Sequence, residues 1–485
     1  MSTNNNKRIL HRKEWQFMTP AVSSSSAGVI FIGDDSARNR FTLQVVSTTV
    51  QFLYDHEEDA WIQLPSAAFA GTFGGGTTGQ YFPWSIDMRA TSGTTTTITG
   101  SASSYNLTRF IKGQKLEFTA GTNAGLTANI VDLFCDAVNW TITLDTTLPN
   151  AVTTEWFRIS SGRFFVLSAY LTLAAGVWKF FDIATMAWSG VAGTSLPTNL
   201  FTTGLPASWG TDGAMTTAYQ LDNPFIVGTA TSGSVNTLVD STASWTPSNF
   251  INYQVKIIGA TGIGQVRKIT ANTSNTLTVV PNWVTNPTAG SSYIIEASEE
   301  LYLSGNNAAP FYKYTIASTF SGATESWTAL TSAPAVLQAG STLDAIVGAT
   351  ESVWKNPTNF FNGRYIYAFR GAGNTTLYRY DIPTNAWITY GSGGIANYGP
   401  LLETFSTGTS AMANGSRIYI RKDATNRFFY YDVIGNDLVP FSTNLYTDGT
   451  GVIGQKIWIK KYDDQTMWLY SIRNSDVILH RIMMF

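Results

Sequence analysis

The chain has 485 residues, with 30 Lys plus Arg against 32 Asp plus Glu and a formal net charge of −2. That length exceeds an ordinary single domain and can bury a sizeable core without staples, while the charge balance supplies no footprint for a phosphate backbone or an acidic membrane. One cysteine, Cys135, and three scattered histidines, His11, His56 and His480, exclude a disulfide framework and a Cys-rich zinc site; a 44% hydrophobic content with only 13% charge is that of a folded chain and not a disordered one.

From the N-terminus, Met1 to Pro20 is polar and basic (Lys7, Arg8, Arg12, Lys13) and reads as a solvated arm, without the apolar core of a signal peptide. No later apolar run approaches a bilayer span. The rest reads as β throughout. Runs such as Arg364–Phe369, Arg417–Arg421 and Lys456–Lys460 are β-branched and aromatic, alternate with period two and are bounded by turn residues, which is the strand signature.

A repeat organises these strands: an aromatic strand ending in aromatic-Asp, then a Trp at fixed spacing. It occurs as Phe52-Leu-Tyr-Asp55 with Trp61, Lys179-Phe-Phe-Asp182 with Trp188, and Tyr378-Arg-Tyr-Asp381 with Trp387. Tyr430-Tyr-Asp432 has Leu438 at the Trp place, Leu469-Tyr470-Ser471 has Val477, and Phe311-Tyr-Lys-Tyr314 reaches Trp327 through a longer turn. The Asp is expected to cap the turn between the last two strands of a small antiparallel sheet. The Trp would open the outer strand and pack between sheets. Such sheets cannot bury both faces alone, so they stack radially as a propeller.

The pattern resembles kelch repeats, best in Arg364–Gly371 followed by Leu377–Trp387. It departs from them where a Gly pair follows the second strand: here those places read Ser168-Ala169, Ser304-Gly305, Arg370-Gly371 and Arg421-Lys422. The resemblance implies an all-β fold, a kelch-like β-propeller of about six blades, or seven.

A second repeat sits inside the first. Thr91-Ser-Gly93 with Phe110-Ile111 and Gln114 matches Thr231-Ser-Gly233 with Phe250-Ile251 and Gln254 at constant spacing. Gly125 and Ile130 match Gly264 and Ile269 with a slight drift, and Thr141–Leu144 matches Thr276–Val279. The gap from Asp55 to Asp182 exceeds a propeller repeat of ~40–50 residues by about one such copy. Two small β-barrel or sandwich domains are therefore expected as insertions in equivalent loops of consecutive blades, on one face. Tandem linker domains outside the propeller are the alternative. The expected organisation is 1–90, N-terminal arm and first blade or blades; 91–160, inserted β module; 161–227, blade; 228–297, second inserted module; 298–485, remaining blades.

The second copy, through Gly228–Gly233, Leu238–Trp245, Gly259–Gln265, Asn275–Val279 and Trp283, is similar to a β module that recurs in virion structural proteins of tailed bacteriophages. That resemblance implies a non-enzymatic structural protein of the phage tail, baseplate or neck. Its location would be the virion, assembled in the host cytoplasm. Its partners would be other virion proteins and copies of itself in a symmetric assembly, with no nucleic acid and no membrane. A receptor- or glycan-binding module is the alternative.

Motifs for chemistry are few. Gly262-Ile-Gly264 precedes no helix and no Lys-Ser/Thr pair, so it reads as a hairpin turn rather than a phosphate loop, and Gly74-Gly-Gly76 as a loop. His56-Glu-Glu-Asp59, Asp34-Asp35 and Asp463-Asp464 read as solvated turns, and Cys135, beside Leu133 and Phe134, as a buried structural thiol. No catalytic, metal-ligating or cofactor-binding residue is assigned.

Overall fold

The computed structural model describes residues 16–17, 30–32, 41–46, 50–56, 58–64, 78–102, 107–108, 111–136, 138–168, 177–189, 213–219, 226–305, 311–316, 326–335, 337, 342–345, 364–371, 373, 375–389, 409–422, 427–433, 435, 437–443, 457–461, 467–473 and 478–484. His11, Asp34-Asp35, Gly74-Gly-Gly76, Phe110, Asp463-Asp464 and Val477 lie outside them.

Among the described residues, strand pairing builds six four-stranded antiparallel blades. After β1 (Gln16–Phe17), blade 1 is β2 (Ile30–Ile32), β3 (Phe41–Val46), β4 (Val50–Asp55) and β5 (Ala60–Gln63). Blade 2 opens with β6 (Thr78–Arg89). It is interrupted by β7 (Ser92–Gly93), β8 (Thr97–Ser101), β9 (Lys115–Ala120), β10 (Thr127–Cys135) and β11 (Asn139–Leu144), and resumes with β12 (Trp156–Ser168), β13 (Val177–Asp182) and β14 (Ala187–Trp188). Blade 3 opens with β15 (Gly213–Thr217). Its interruption is β16 (Ile226–Thr229), β17 (Ser232–Gly233), β18 (Thr237–Val239), β19 (Tyr253–Gly259), β20 (Val266–Asn272), β21 (Thr276–Val280) and β22 (Ser292–Ala297); it resumes with β23 (Glu300–Gly305), β24 (Phe311–Thr315) and β25 (Ser326–Ala329).

Blade 4 is β26 (Thr342–Ala345), β27 (Tyr365–Phe369), β28 (Leu377–Asp381) and β29 (Ala386–Thr389). Blade 5 is β30 (Ser410–Asn414), β31 (Arg417–Arg421), β32 (Arg427–Asp432) and β33 (Asp437–Thr443). Blade 6 is β34 (Ile457–Lys461), β35 (Met467–Arg473) and β36 (Ile478–Met484), completed by β1 as its outermost strand.

The first strands β2, β6, β15, β26, β30 and β34 neighbour one another in that order. The ring closes where Tyr54 and His56 of blade 1 meet Tyr470 of blade 6, with ring centroids 6.4 and 4.9 Å apart. His56 is therefore a buried seam residue and not part of a solvated turn, a correction to its expected place. It follows the last strand residue, and ring closure brings blade 6 over it. Pairing of β1 with β36 ties the two ends of the chain and removes an open strand edge that would otherwise template association.

The repeat motif explains each blade's outer half. The last aromatic of the third strand, which precedes Asp in blades 1, 2 and 4 and Thr315 in blade 3, lies directly across from the Trp in Tyr54–Trp61, Phe181–Trp188, Tyr314–Trp327 and Tyr380–Trp387. Their ring centroids stand 4.9 to 5.3 Å apart. Pairs of this kind contribute about 0.5–1.5 kcal/mol each beyond area burial. The Asp caps the turn as expected: Asp55, Asp182 and Asp432 accept the backbone N–H of Glu58, Thr185 and Gly435. Two turns add a lock. The Tyr54 and Tyr380 hydroxyls donate to Asp59 and Asn385, both in the left-handed region, at φ 49 and 51, which Asp and Asn tolerate.

Between blades the same aromatics meet their neighbours. Trp178 of blade 2 packs on Tyr314 and Trp327 of blade 3 at 5.1 and 5.3 Å, and Phe311 of blade 3 on Tyr380 and Trp387 of blade 4 at 4.8 and 4.9 Å. At the seam of blades 5 and 6 the buried Arg421 donates to Ser471 at 2.8 Å.

Deleting residues 1–20 removes β1 and exposes the edge of β36. The truncated protein is expected to melt several degrees lower and to self-associate on heating, which scanning calorimetry with light scattering would read.

Candidate interaction face of the two inserted modules

Both interruptions lie between the first and second strands of consecutive blades, so they leave the ring at equivalent corners. They share one topology. The first orders its strands β6-β12-β9-β10-β11-β8-β7 and the second β16-β22-β19-β20-β21-β18-β17. Corresponding details recur. Thr91 and Thr231 donate to the carbonyls of Thr99 and Val239, and bulges fall at Ile130/Asp132 and Ile269/Ala271. The second repeat seen in the sequence is thus one small, partly open β-barrel built twice.

The two copies differ in attachment. In the first, β6 and β12 run unbroken from blade into module, a paired ribbon from Thr78↔Leu167 to Arg89↔Trp156. In the second, β15 and β16 are separate strands, and so are β22 and β23, which meet at Ser298 and Glu299. Ion pairs and hydrogen bonds hold that second module down. Glu300, at the start of β23, is buried between Lys268 of the module at 2.9 Å and Lys313 of the blade at 2.8 Å, and accepts from the Tyr302 hydroxyl at 3.2 Å. Burial opposes ionisation of Glu300, but the two ammonium groups outweigh it and hold the carboxyl below its ordinary value. The same burial, with Glu300 beside it, pushes the Tyr302 phenol well above its ordinary value. Arg364 of blade 4 clasps Asp381 through two bonds of 3.0 Å and also donates to Asn249 of the module.

The modules also touch each other. Lys256 of β19 pairs with Glu117 of β9 at 2.9 Å. The turn from β19 to β20 abuts the first module at Gly264, whose φ is +85 and whose Cβ, if present, would lie 2.8 Å from the Thr119 carbonyl oxygen. Gly262-Ile-Gly264 is therefore a hairpin turn, as expected, with a contact role. The first module is fastened to its own blade by Thr108, whose N–H and hydroxyl both donate to the Ala184 carbonyl. Beneath it Arg158 pairs with Asp87 at 3.1 Å. Deeper still, Arg163 pairs with Asp182 at 2.8 Å, its guanidinium 4.0 Å from Trp84 and 4.3 Å from Phe180.

Among the described residues, this paired unit carries most of the exposed large apolar side chains. These are Val131, Phe134, Val138 and Trp156 on the first module, Val227, Val235, Val280 and Val284 on the second, and Ile388 on blade 4. Phe134 is 67% exposed and Val284 88%. Cys135 lies beside Phe134 on the β10–β11 hairpin and is half-buried, which corrects the expectation of a buried thiol: at this end of β10 the inward-alternating Leu133 and Cys135 pack only against the margin of the module core, while Phe134 faces out. Burial, then the neighbouring Asp136, raises its pKa, the opposite of an activated nucleophile.

Among the described residues no group of three His, Cys, Asp or Glu could hold a metal ion, and no helix is long and apolar enough to cross a membrane. The Arg163–Asp182, Arg364–Asp381 and Arg417–Asp432 pairs went unread in the sequence, although an Arg at the head of the second strand announces each. In blade 3 that place is Glu300, across from Thr315, and the cations come from Lys313 and the inserted module instead.

No protein-family model and no curated protein matches the chain. Solved structures that align along most of it include U3-55K (8% identity, 97% of this chain and 98% of that one, TM-score 0.34), the RRP9 WD40 repeats (8%, 97% and 100%, 0.32) and a phage phi92 endosialidase (8%, 98% and 70%, 0.30). At such scores these carry no argument about this chain, and the propeller rests on its own strand pairing.

Glu300→Gln leaves the buried Lys313 ammonium and the half-buried Lys268 ammonium without their carboxylate. It is expected to cost about 3–5 kcal/mol, read by urea unfolding. Because the folded pKa of Glu300 is depressed, its contribution is full above the unfolded value of about 4.3 and is lost as pH falls through the folded value. The wild type should therefore lose stability on acidification in that window, and the variant should lose less.

Proposed function

We propose that this protein is a non-enzymatic structural subunit of a tailed-bacteriophage particle, in its tail, baseplate or neck. On this reading the propeller is a rigid platform, and the paired modules are the surface it presents to other virion proteins and to further copies of the chain. The observation that carries the proposal is the concentration, among the described residues, of exposed apolar side chains on the two modules, on a unit braced by buried ion pairs against movement. A stable interface gains from apolar residues that are fully desolvated on contact and from a surface that does not reorganise. The module similarity noted in the sequence supports the particle as the setting.

A receptor- or glycan-binding role is the second reading, favoured by one feature, the half-exposed Trp156 on the first module.

Immunogold microscopy of intact and disrupted particles, with antibody against residues 228–297, tests the first reading. A label at a fixed site on either preparation is expected, and its absence from both would overturn the proposal. Phe134→Lys with Val284→Lys should leave the melting temperature within a few degrees of wild type, since both side chains face solvent. Recovery of the subunit in purified particles should fall at least tenfold.

A further inference from the structure

The β6–β12 ribbon that carries the first module has two faces. One sends Ile86, Met88, Phe157 and Ile159 into the module core. The other places Arg89 directly across from Trp156, and Asp87 directly across from Arg158. At this end of the ribbon a cavity of ≈ 530 Å³ opens, lined among others by Asp87, Arg89, Thr91, Ser101, Thr154 and Trp156. Its floor is Trp140, held by its indole N–H on the Ser101 carbonyl at 3.0 Å. Among the described strands β6 pairs with β12 alone, and its other edge there offers backbone donors and acceptors.

We propose that this cavity is a saccharide-binding site selective for acidic sugars. Trp156, 46% exposed, offers an indole face on which the C–H face of a pyranose packs. An aromatic wall with a few convergent polar groups is the usual composition of a small-molecule site, and the volume falls within the usual range of about 300–1,000 Å³. The Thr154 hydroxyl, which can donate and accept, the Thr91 hydroxyl, which accepts because its proton goes to the Thr99 carbonyl, and the Asp87 carboxylate, oriented by Arg158 with acceptor capacity left, match a ring's own hydroxyls. The choice of an acidic sugar comes from Arg89. Its guanidinium is exposed, and its one contact among those described is the Trp156 ring, 5.9 Å away. There it can take a sugar carboxylate through two parallel bonds.

The second module supplies an internal control. On the same framework, Arg89↔Trp156 becomes Thr229↔Ser292, and Asp87↔Arg158 becomes Val227↔Ile294. The core residue Met88 becomes Gly228, and Tyr293 fills the space so closely that a Cβ there would collide with it. Tyr293 is fastened in turn to Asp240 at 2.7 Å. The fold therefore does not require Arg and Trp at this place.

This inference rests on the second reading above and names its ligand class. The test is a glycan array of acidic and neutral oligosaccharides probed with the intact protein, followed by calorimetric titration of galacturonic-acid trimer and, as the neutral comparison, maltotriose. Acidic glycans are expected to bind, Trp156→Ala to weaken them at least tenfold, and Arg89→Gln to abolish the preference for acidic over neutral sugars. Both variants should keep the wild-type melting temperature within a few degrees. Absence of binding to every glycan overturns the glycan reading itself. Wild-type binding by Trp156→Ala overturns this site while leaving that reading standing, and binding of neutral sugars alone overturns the choice of an acidic ligand. Particle labelling is read separately and does not bear on any of these outcomes.

Discussion

Everything in this molecule depends on aromatic packing between the faces of adjacent four-stranded sheets. A single blade has two apolar faces and no means of covering them. Trp178 on Tyr314 and Trp327, Phe311 on Tyr380 and Trp387, and His56 on Tyr470 bury those faces in turn, and the last of these contacts exists only if the ring closes. Closure makes the blades rigid relative to one another. That rigidity lets two separate loops carry modules that meet at fixed contacts such as Lys256–Glu117.

The two modules show two ways of coupling an insertion to its host. The first continues the sheet of its blade, so backbone hydrogen bonds along β6 and β12 set its orientation. The second is joined through short breaks and needs side chains instead: Lys268 on Glu300 and Asn249 on Arg364. A buried ion pair is weak evidence for stability, because desolvation offsets much of the attraction. Here its effect is on geometry, since two cations converging on one carboxylate leave few alternative arrangements. The exposed Phe134, Trp156 and Val284 are thereby presented in a constant relation, which suits contact with a surface of defined shape.

The divergence of the copies is informative about function. Identical strand orders show that the barrel tolerates different chemistry at equivalent places, so residues that the fold does not need stand out. Arg89 and Trp156 are of that kind. Gly264 is the reverse case: its positive φ and its approach to Thr119 tie that position to packing between the modules.

Strand periodicity, the aromatic-Asp…Trp signature and the internal repeat were legible in the sequence because they arise from local rules: alternation on a pleated sheet, Asp capping of a tight turn, and a side chain facing its partner on the adjacent strand. Those rules sufficed for six blades and two like modules. Other features depend on residues distant in sequence and left no local mark. They are the pairing of β1 with β36, the burial of His56 under Tyr470, the exposure of Phe134 with half-burial of Cys135, and the pairing of Glu300 with Lys268. Each needs the closed ring or the seated module to bring its partner within reach. The cavity beside Trp156 is likewise tertiary: alternation places Arg89 and Trp156 on one face of a ribbon, but only the open side of the barrel leaves space in front of them.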